Sequence, residues 1–130
     1  MHPRRLGRRL VEPRGGLGAL EALFALLDPA GRRLSIDIFD PAPFPGAGPN
    51  FAPSEPRHCL LNIPFRDIAI RPPEGSRVGA FADWLGGPIC PDAFPPRADL
   101  GRYLEARWRD LQDRFGAAGV TTRLIPTRAI

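Results

Sequence analysis

Cysteine is scarce in this chain of 130 residues, and long apolar runs are missing from it. The two cysteines, Cys59 and Cys90, are too few for a disulfide framework or a zinc site, which fits a reducing, cytoplasmic compartment. No apolar run approaches the roughly 20 residues that span a bilayer. Glu21 also interrupts the apolar run that could have served as a signal peptide. We therefore expect a cytoplasmic protein with no membrane partner.

Lysine is absent, so all 18 basic residues are arginines, which indicates a codon-composition effect rather than a special chemistry. The net charge of +4 is local, because residues 1–14 carry five arginines and one glutamate and the remaining residues balance. Nucleic-acid binding needs a basic patch on the folded surface. We predict a basic N-terminal arm over residues 1–9, a small domain over residues 10–130 and no nucleic-acid partner. An arginine-armed nucleic-acid binder is a minor third hypothesis.

One stretch combines a glycine turn, a helix pattern and a strand. Gly15-Gly16-Leu17-Gly18 precedes a run over residues 17–27 that is apolar nearly all round, which predicts a buried helix. Residues 34–39 alternate as a strand and end at Asp40. This is the order of a dinucleotide-binding βαβ unit, and Asp40 follows Gly18 at close to the ~20-residue spacing of a ribose-binding carboxylate. The alternatives are a simple core helix and an Asp that only terminates the strand.

The glycine turn is a weak motif when it is taken by itself. Counting from Gly16 and Gly18 puts Glu21 at the third position of G-x-G-x-x-G. Alternatively, Gly15 or Gly16 is the third glycine, and Leu10 and Glu12 replace the first two. The preceding strand is reduced to Leu10-Val11, which is poor for a buried parallel strand.

The rest of the chain predicts proline-rich loops, a short helix over 81–85, an amphipathic helix over 99–115 and a strand over 120–125. Most of the 17 prolines lie between Pro41 and Pro96. The polar residues of the long helix are interpreted as a solvated face: Arg107, Arg109, Asp110, Asp113 and Arg114. No paired carboxylates, metal-ligand cluster or nucleophile triad stands out, so neither a catalytic nor a metal site is predicted. A flavin enzyme needs none, because its cofactor carries the redox chemistry.

Several blocks together resemble the N-terminal segment of bacterial FAD/NAD(P)-binding proteins, which are oxidoreductase-like or flavin-monooxygenase-like. The blocks are Pro13-Arg14-Gly15 with Leu17-Gly18-Ala19-Leu20-Glu21, Ile36-Asp37-Ile38-Phe39-Asp40-Pro41, Pro45-Gly46-Ala47-Gly48-Pro49-Asn50-Phe51, Leu60-Leu61-Asn62-Ile63-Pro64, and Phe94-Pro95-Pro96-Arg97 with Leu100-Gly101-Arg102-Tyr103-Leu104. The likeness covers roughly residues 10 to 125.

The resemblance implies an α/β protein with a partial Rossmann-like FAD/NAD(P)-binding fold. It is a βαβ unit followed by proline-rich loops, one amphipathic helix and a strand. The implied cofactor is FAD, with NADPH or NADH as the other dinucleotide. The residues implied to bind it are Gly15, Gly16 and Gly18 at the pyrophosphate, Asp40 at the adenosine ribose, Gly46, Gly48 and Asn62 towards the flavin, and Arg97 in a less defined role.

The sequence departs from the family in its glycine turn and in its length. Glu12 would place a negative charge beside the pyrophosphate, and family members are several times longer. We therefore expect a truncated FAD/NAD(P)-binding segment of an oxidoreductase-like protein of unknown substrate. An active form would be an FAD-dependent NAD(P)H oxidoreductase or a monooxygenase-like enzyme. The alternative is a non-enzymatic Rossmann-like remnant or interaction module that holds no cofactor.

Overall fold

A three-stranded parallel sheet is the centre of the fold. The computed structural model describes residues 9–11, 16–27, 34–68, 70 and 72–127. Strand β1 spans Arg9–Val11, β2 spans Leu34–Phe39 and β3 spans Val120–Ile125. Their order is β1-β2-β3, and both pairings are parallel. The predicted α/β class is confirmed. Strand β1, for which the sequence contains only a weak signal, pairs with β2 over three residues.

Both long helices pack on one face of this sheet. Helix α1 spans Gly16–Leu26 and α3 spans Arg97–Ala117, and they share the main core with β2 and β3. Ile36 and Ile38 point into this core because alternate residues of a strand face the same side. The buried members of this core are Leu17, Leu20, Ile36, Ile38, Phe44, Ala47, Trp108, Leu111, Phe115 and Val120.

Helix α1 is less buried than its apolar sequence predicts. Only Leu17, Leu20 and Glu21 of the helix are buried, and Leu26 is 83% exposed. The expectation of a helix buried all round is therefore wrong for the described residues. The cause is that α1 packs against neighbours along one side only, while its other side carries alanines that tolerate exposure.

Helix α3 extends two residues beyond its predicted bounds at each end, and its polar flanks are partly covered. Arg107 is 8% exposed and Asp110 is 7% exposed, which corrects the prediction that both lie on a solvated surface. Glu21 of α1 covers Arg107 through an ion pair. Ser76 and Arg77 in the loop before α2 donate hydrogen bonds to Asp110 at 3.0 and 3.1 Å.

The connection from β2 to β3 carries a second, smaller core. It contains the short helix α2 over Phe81–Leu85, as predicted, and a 3-10 helix over Phe65–Asp67. Its buried residues are Leu61, Phe81, Leu100 and Tyr103. Leu60 and Pro96 form an isolated antiparallel bridge within this connection.

A close approach of backbone to backbone joins this connection to α3. A Cβ added at Gly101 would lie 2.1 Å from the Phe51 carbonyl oxygen and 3.3 Å from the Ala52 carbonyl carbon. Any side chain at residue 101 would therefore push the 51–52 segment off the helix. Only glycine allows the two segments to pack at this distance.

Candidate functional site

The start of α1 and the end of β2 lie at the same edge of the sheet. Strand β1 ends at Val11, which pairs with Ile38, and the chain enters α1 at Gly16. Asp40 follows β2 two residues after Ile38. In parallel α/β sheets this carboxyl edge is where ligands bind.

Glycines shape the start of α1. Gly16 has a φ of 56°, and a Cβ there would lie 3.2 Å from Gly46 Cα. Gly46 has a φ of 102°, and its Cβ would lie 3.0 Å from Leu17 Cβ. Both positions therefore need glycine for conformation as well as for space. The loop that contains Gly46 closes against the first residues of the helix.

The first turn of α1 is open to an anion. It contains no acidic residue. No acceptor among the described residues bonds to the backbone N–H groups of residues 16–18. Gly18 is exposed, and an added Cβ would meet nothing within 4 Å. Free N–H groups and the positive end of the helix dipole both favour a phosphate at such a place.

Two hydrogen bonds, one of the backbone and one of the side chain, hold Asp40 at the end of β2. Its N–H donates to the Ile125 carbonyl oxygen at 3.0 Å. Its Oδ1 accepts from the Ala42 N–H at 2.9 Å. The other carboxylate oxygen accepts no hydrogen bond from the described residues, so it can accept one from a ligand hydroxyl group.

The remaining predicted site residues divide between two places. Gly48 is exposed in the same loop as Gly46 and has a φ of 53°. Asn62 and Arg97 lie instead along the paired 59–66 and 91–97 segments. The Arg97 Nε donates to the Leu60 carbonyl oxygen at 3.2 Å, and Asn62 is exposed. The described contacts join Gly16 to Gly46 but connect neither to Arg97, and Gly15 lies outside the described residues.

The start of α3 contains a group of paired charges that the sequence did not predict. Asp99 is buried and accepts hydrogen bonds from Arg57 at 3.0 and 3.2 Å and from Arg102. Burial raises the pKa of the Asp99 carboxyl, but the hydrogen bonds and charges of the two arginines outweigh it and hold that pKa below its usual value. The pKa of Arg57 is raised by its hydrogen bond to Asp99.

Glu21 and Arg107 form a buried ion pair next to the candidate site, and the sequence did not predict this pairing. A lone carboxylate in the apolar run 17–27 was the available signal, because a buried charge needs a partner. The partner could not be identified from spacing, since it lies 86 residues away in α3.

The described residues contain no group of three or more potential metal ligands. None of the described helices combines the length and the apolar character that crossing a membrane requires.

Comparison with known proteins identifies a family. A family model described as FAD-NAD(P)-binding matches residues 14–130, which include α1, β2, α3, β3 and all the candidate cofactor-binding residues. No curated protein matches the chain.

Proposed function

The chain belongs to the FAD-NAD(P)-binding family, and on this premise we propose that it holds the ADP half of FAD at the carboxyl edge of its sheet. The pyrophosphate lies at the start of α1, where Gly16 and Gly18 leave the backbone open. The adenosine ribose lies at Asp40. NADH or NADPH is the second dinucleotide of the system, as in an NAD(P)H oxidoreductase of unassigned substrate.

One observation carries the proposal: beyond the ends of two adjacent parallel strands lie backbone N–H groups and a carboxylate oxygen that have no hydrogen-bond partner among the described residues. The N–H groups suit a phosphate, and the carboxylate suits ribose hydroxyl groups. The glycine pair at residues 16 and 46 keeps side chains away from the turn. The donor set therefore fits the dinucleotide.

Each residue of the site has a binding role rather than a chemical one. A bound flavin would supply the electron transfer, and the protein orients it. Asp40 accepts hydrogen bonds from the ribose and repels a 2′-phosphate, so this site favours FAD or NADH over NADPH. Gly46 and Gly48 continue the wall of the site, and Asn62 and Arg97 lie on a separate segment that would face the flavin side.

The second candidate function is a module that holds no cofactor. Glu21 favours it, because this residue stands where the third glycine of the dinucleotide motif would be. A cofactor-free protein would be colourless as purified. Its melting temperature would also stay unchanged with added FAD, NADH or NADPH, and that pair of results would refute our proposal.

Two variants with a matched control test the site directly. Gly18→Leu places a side chain in the proposed path of the pyrophosphate, and we expect FAD affinity to fall at least tenfold in calorimetry. Gly116→Leu is the control, because Gly116 is also an exposed helical glycine with open space around it. Asp40→Asn should weaken FAD binding by about tenfold to a hundredfold, the equivalent of one or two charged hydrogen bonds. Equal affinities for the wild type and Gly18→Leu would contradict the pyrophosphate assignment.

A further inference from the structure

A buried ion pair ties the helix at the candidate site to the long helix behind it. Glu21 of α1 and Arg107 of α3 are 9% and 8% exposed. Arg107 Nη2 donates a hydrogen bond to Glu21 Oε1. Burying two charges is costly unless they neutralise each other. Breaking the pair from one side would leave the other charge buried and uncompensated.

Glu21 occupies an unusual place for a carboxylate. It is five residues into α1 from Gly16, which is about 7–8 Å along the helix axis at 1.5 Å per residue. A negative charge that close to the start of the helix offsets the positive potential of the helix dipole and repels a bound phosphate. At the third position of the glycine motif, an unpaired Glu would therefore work against pyrophosphate binding.

We propose that Arg107 is a positioning residue that cancels the charge of Glu21 and so allows an anionic ligand at the start of α1. The inference rests on the proposed function, since it concerns the affinity of that site for a pyrophosphate. Arg107 acts through Glu21 and need not touch the ligand.

Arg107 is held in place by a second set of contacts. Its guanidinium carbon lies 5.7 Å from the centroid of the Tyr103 ring. The Tyr103 hydroxyl donates to the Gly79 carbonyl oxygen at 2.8 Å. Arg107 Nε has no hydrogen-bond partner among the described residues. Within that part of the chain, Glu21 is thus the acceptor that this guanidinium bonds.

A charge-cancelling role and a purely structural role of the ion pair predict different signs for the change in ligand affinity when one partner is removed. If the pair only holds two helices together, breaking it from either side disturbs the site and weakens binding. If Arg107 cancels Glu21, removing Arg107 weakens binding and removing Glu21 strengthens it. Opposite signs in the two single variants therefore separate the two roles.

The experiment measures the affinity for ADP, which carries the pyrophosphate and the adenosine ribose alone. We expect Arg107→Met to weaken ADP about tenfold and Glu21→Gln to strengthen it by a similar factor, from two unit charges about 10 Å apart at an effective dielectric constant of ~20. The double variant should bind within about threefold of the wild type because it removes both charges. Arg107→Lys keeps the charge and should retain most of the affinity.

A surface pair on the same helix provides the control. Glu105 and Arg109 form an exposed ion pair at 2.7 Å, and Glu105→Gln and Arg109→Met should leave ADP affinity unchanged within about twofold. Glu21→Gln preserves the shape of its side chain, so it tests the proposal even if Arg107→Met fails to fold.

The outcomes distinguish this inference from the proposed function. A wild-type protein that binds ADP, with both single variants weakened alike, refutes the inference and leaves the function standing. A wild-type protein that binds neither ADP nor FAD refutes both. In that case urea denaturation of the four pair variants still shows whether the pair couples α1 to α3.

Discussion

Gly101 provides the sharpest test of how the long connection packs on α3. In a helix interior, replacing Gly by Ala normally stabilises a protein by about 1 kcal/mol. At this position the new Cβ would lie 2.1 Å from the Phe51 carbonyl oxygen, whereas ordinary contact begins near 3.4 Å. The 51–52 backbone must therefore move by more than 1 Å, or the helix must bend.

The expected result is a net loss of stability for Gly101→Ala. Forcing extra atoms into a packed region costs about 1–3 kcal/mol, and here the obstacle is backbone, which yields less than a flexible side chain. Phe51 would also withdraw from the second core, against which it packs as a partly buried residue. After subtracting the helix gain of about 1 kcal/mol and adding the exposure of Phe51, we expect the free energy of unfolding to fall by about 1–2 kcal/mol.

Urea denaturation followed by circular dichroism measures this change. Gly116→Ala in the same helix is the matched control, because nothing lies within 4 Å of its added Cβ. We expect the control to gain about 0.5–1 kcal/mol. If Gly101→Ala is as stable as Gly116→Ala, the close packing of the 51–52 segment on α3 is refuted.

Two further predictions follow from titratable groups in the second core and at the start of α3. Because the pKa of Asp99 is lower in the folded chain, its stabilisation is present above its unfolded value of about 4 and is lost as the pH falls through the folded value. In urea denaturation, the difference in free energy of unfolding between the wild type and Asp99→Asn should therefore narrow as the pH falls below about 4, and a constant difference would contradict the lowered pKa of Asp99. Burial raises the pKa of Tyr103, the single tyrosine of the chain, despite the opposing charge of Arg107. Tyrosinate absorbance should thus appear at higher pH in the folded than in the urea-unfolded protein, with stability falling above about pH 10, and coincident titrations would contradict the burial of this hydroxyl.

Local patterns in the sequence were sufficient to predict the regular elements. The alternation over 34–39, the strand predicted over 120–125 and the helical spacing over 99–115 all correspond to elements of the structure. These signals are local, because each depends on which side of one element meets the core. The sequence contains only a weak signal for the short strand at Arg9–Val11. This strand forms by pairing with β2, and a pattern within three residues does not predict that pairing.

Burial of charged residues could not be predicted in the same way. Arg107 and Asp110 occupy positions on α3 that a helical pattern assigns to the solvent side. They are buried because α1 and the 74–78 loop cover the flanks of the helix, and the spacing within α3 contains no information about either. The candidate site was predicted in part, because the glycine turn and Asp40 are close in sequence, whereas the partner of Glu21 is remote.

The length of the connection between β2 and β3 has a consequence for how fast the protein folds. Eighty residues separate Phe39 from Val120, against 22 between Val11 and Leu34. Closing the longer loop costs about 1 kcal/mol more in chain entropy, and such distant pairings slow folding. The β1-α1-β2 unit can assemble first. Strand β3 pairs with β2 later, once α3 and the second core have brought the ends of the long connection together. The edge at which Asp40 meets Ile125 would then be completed last.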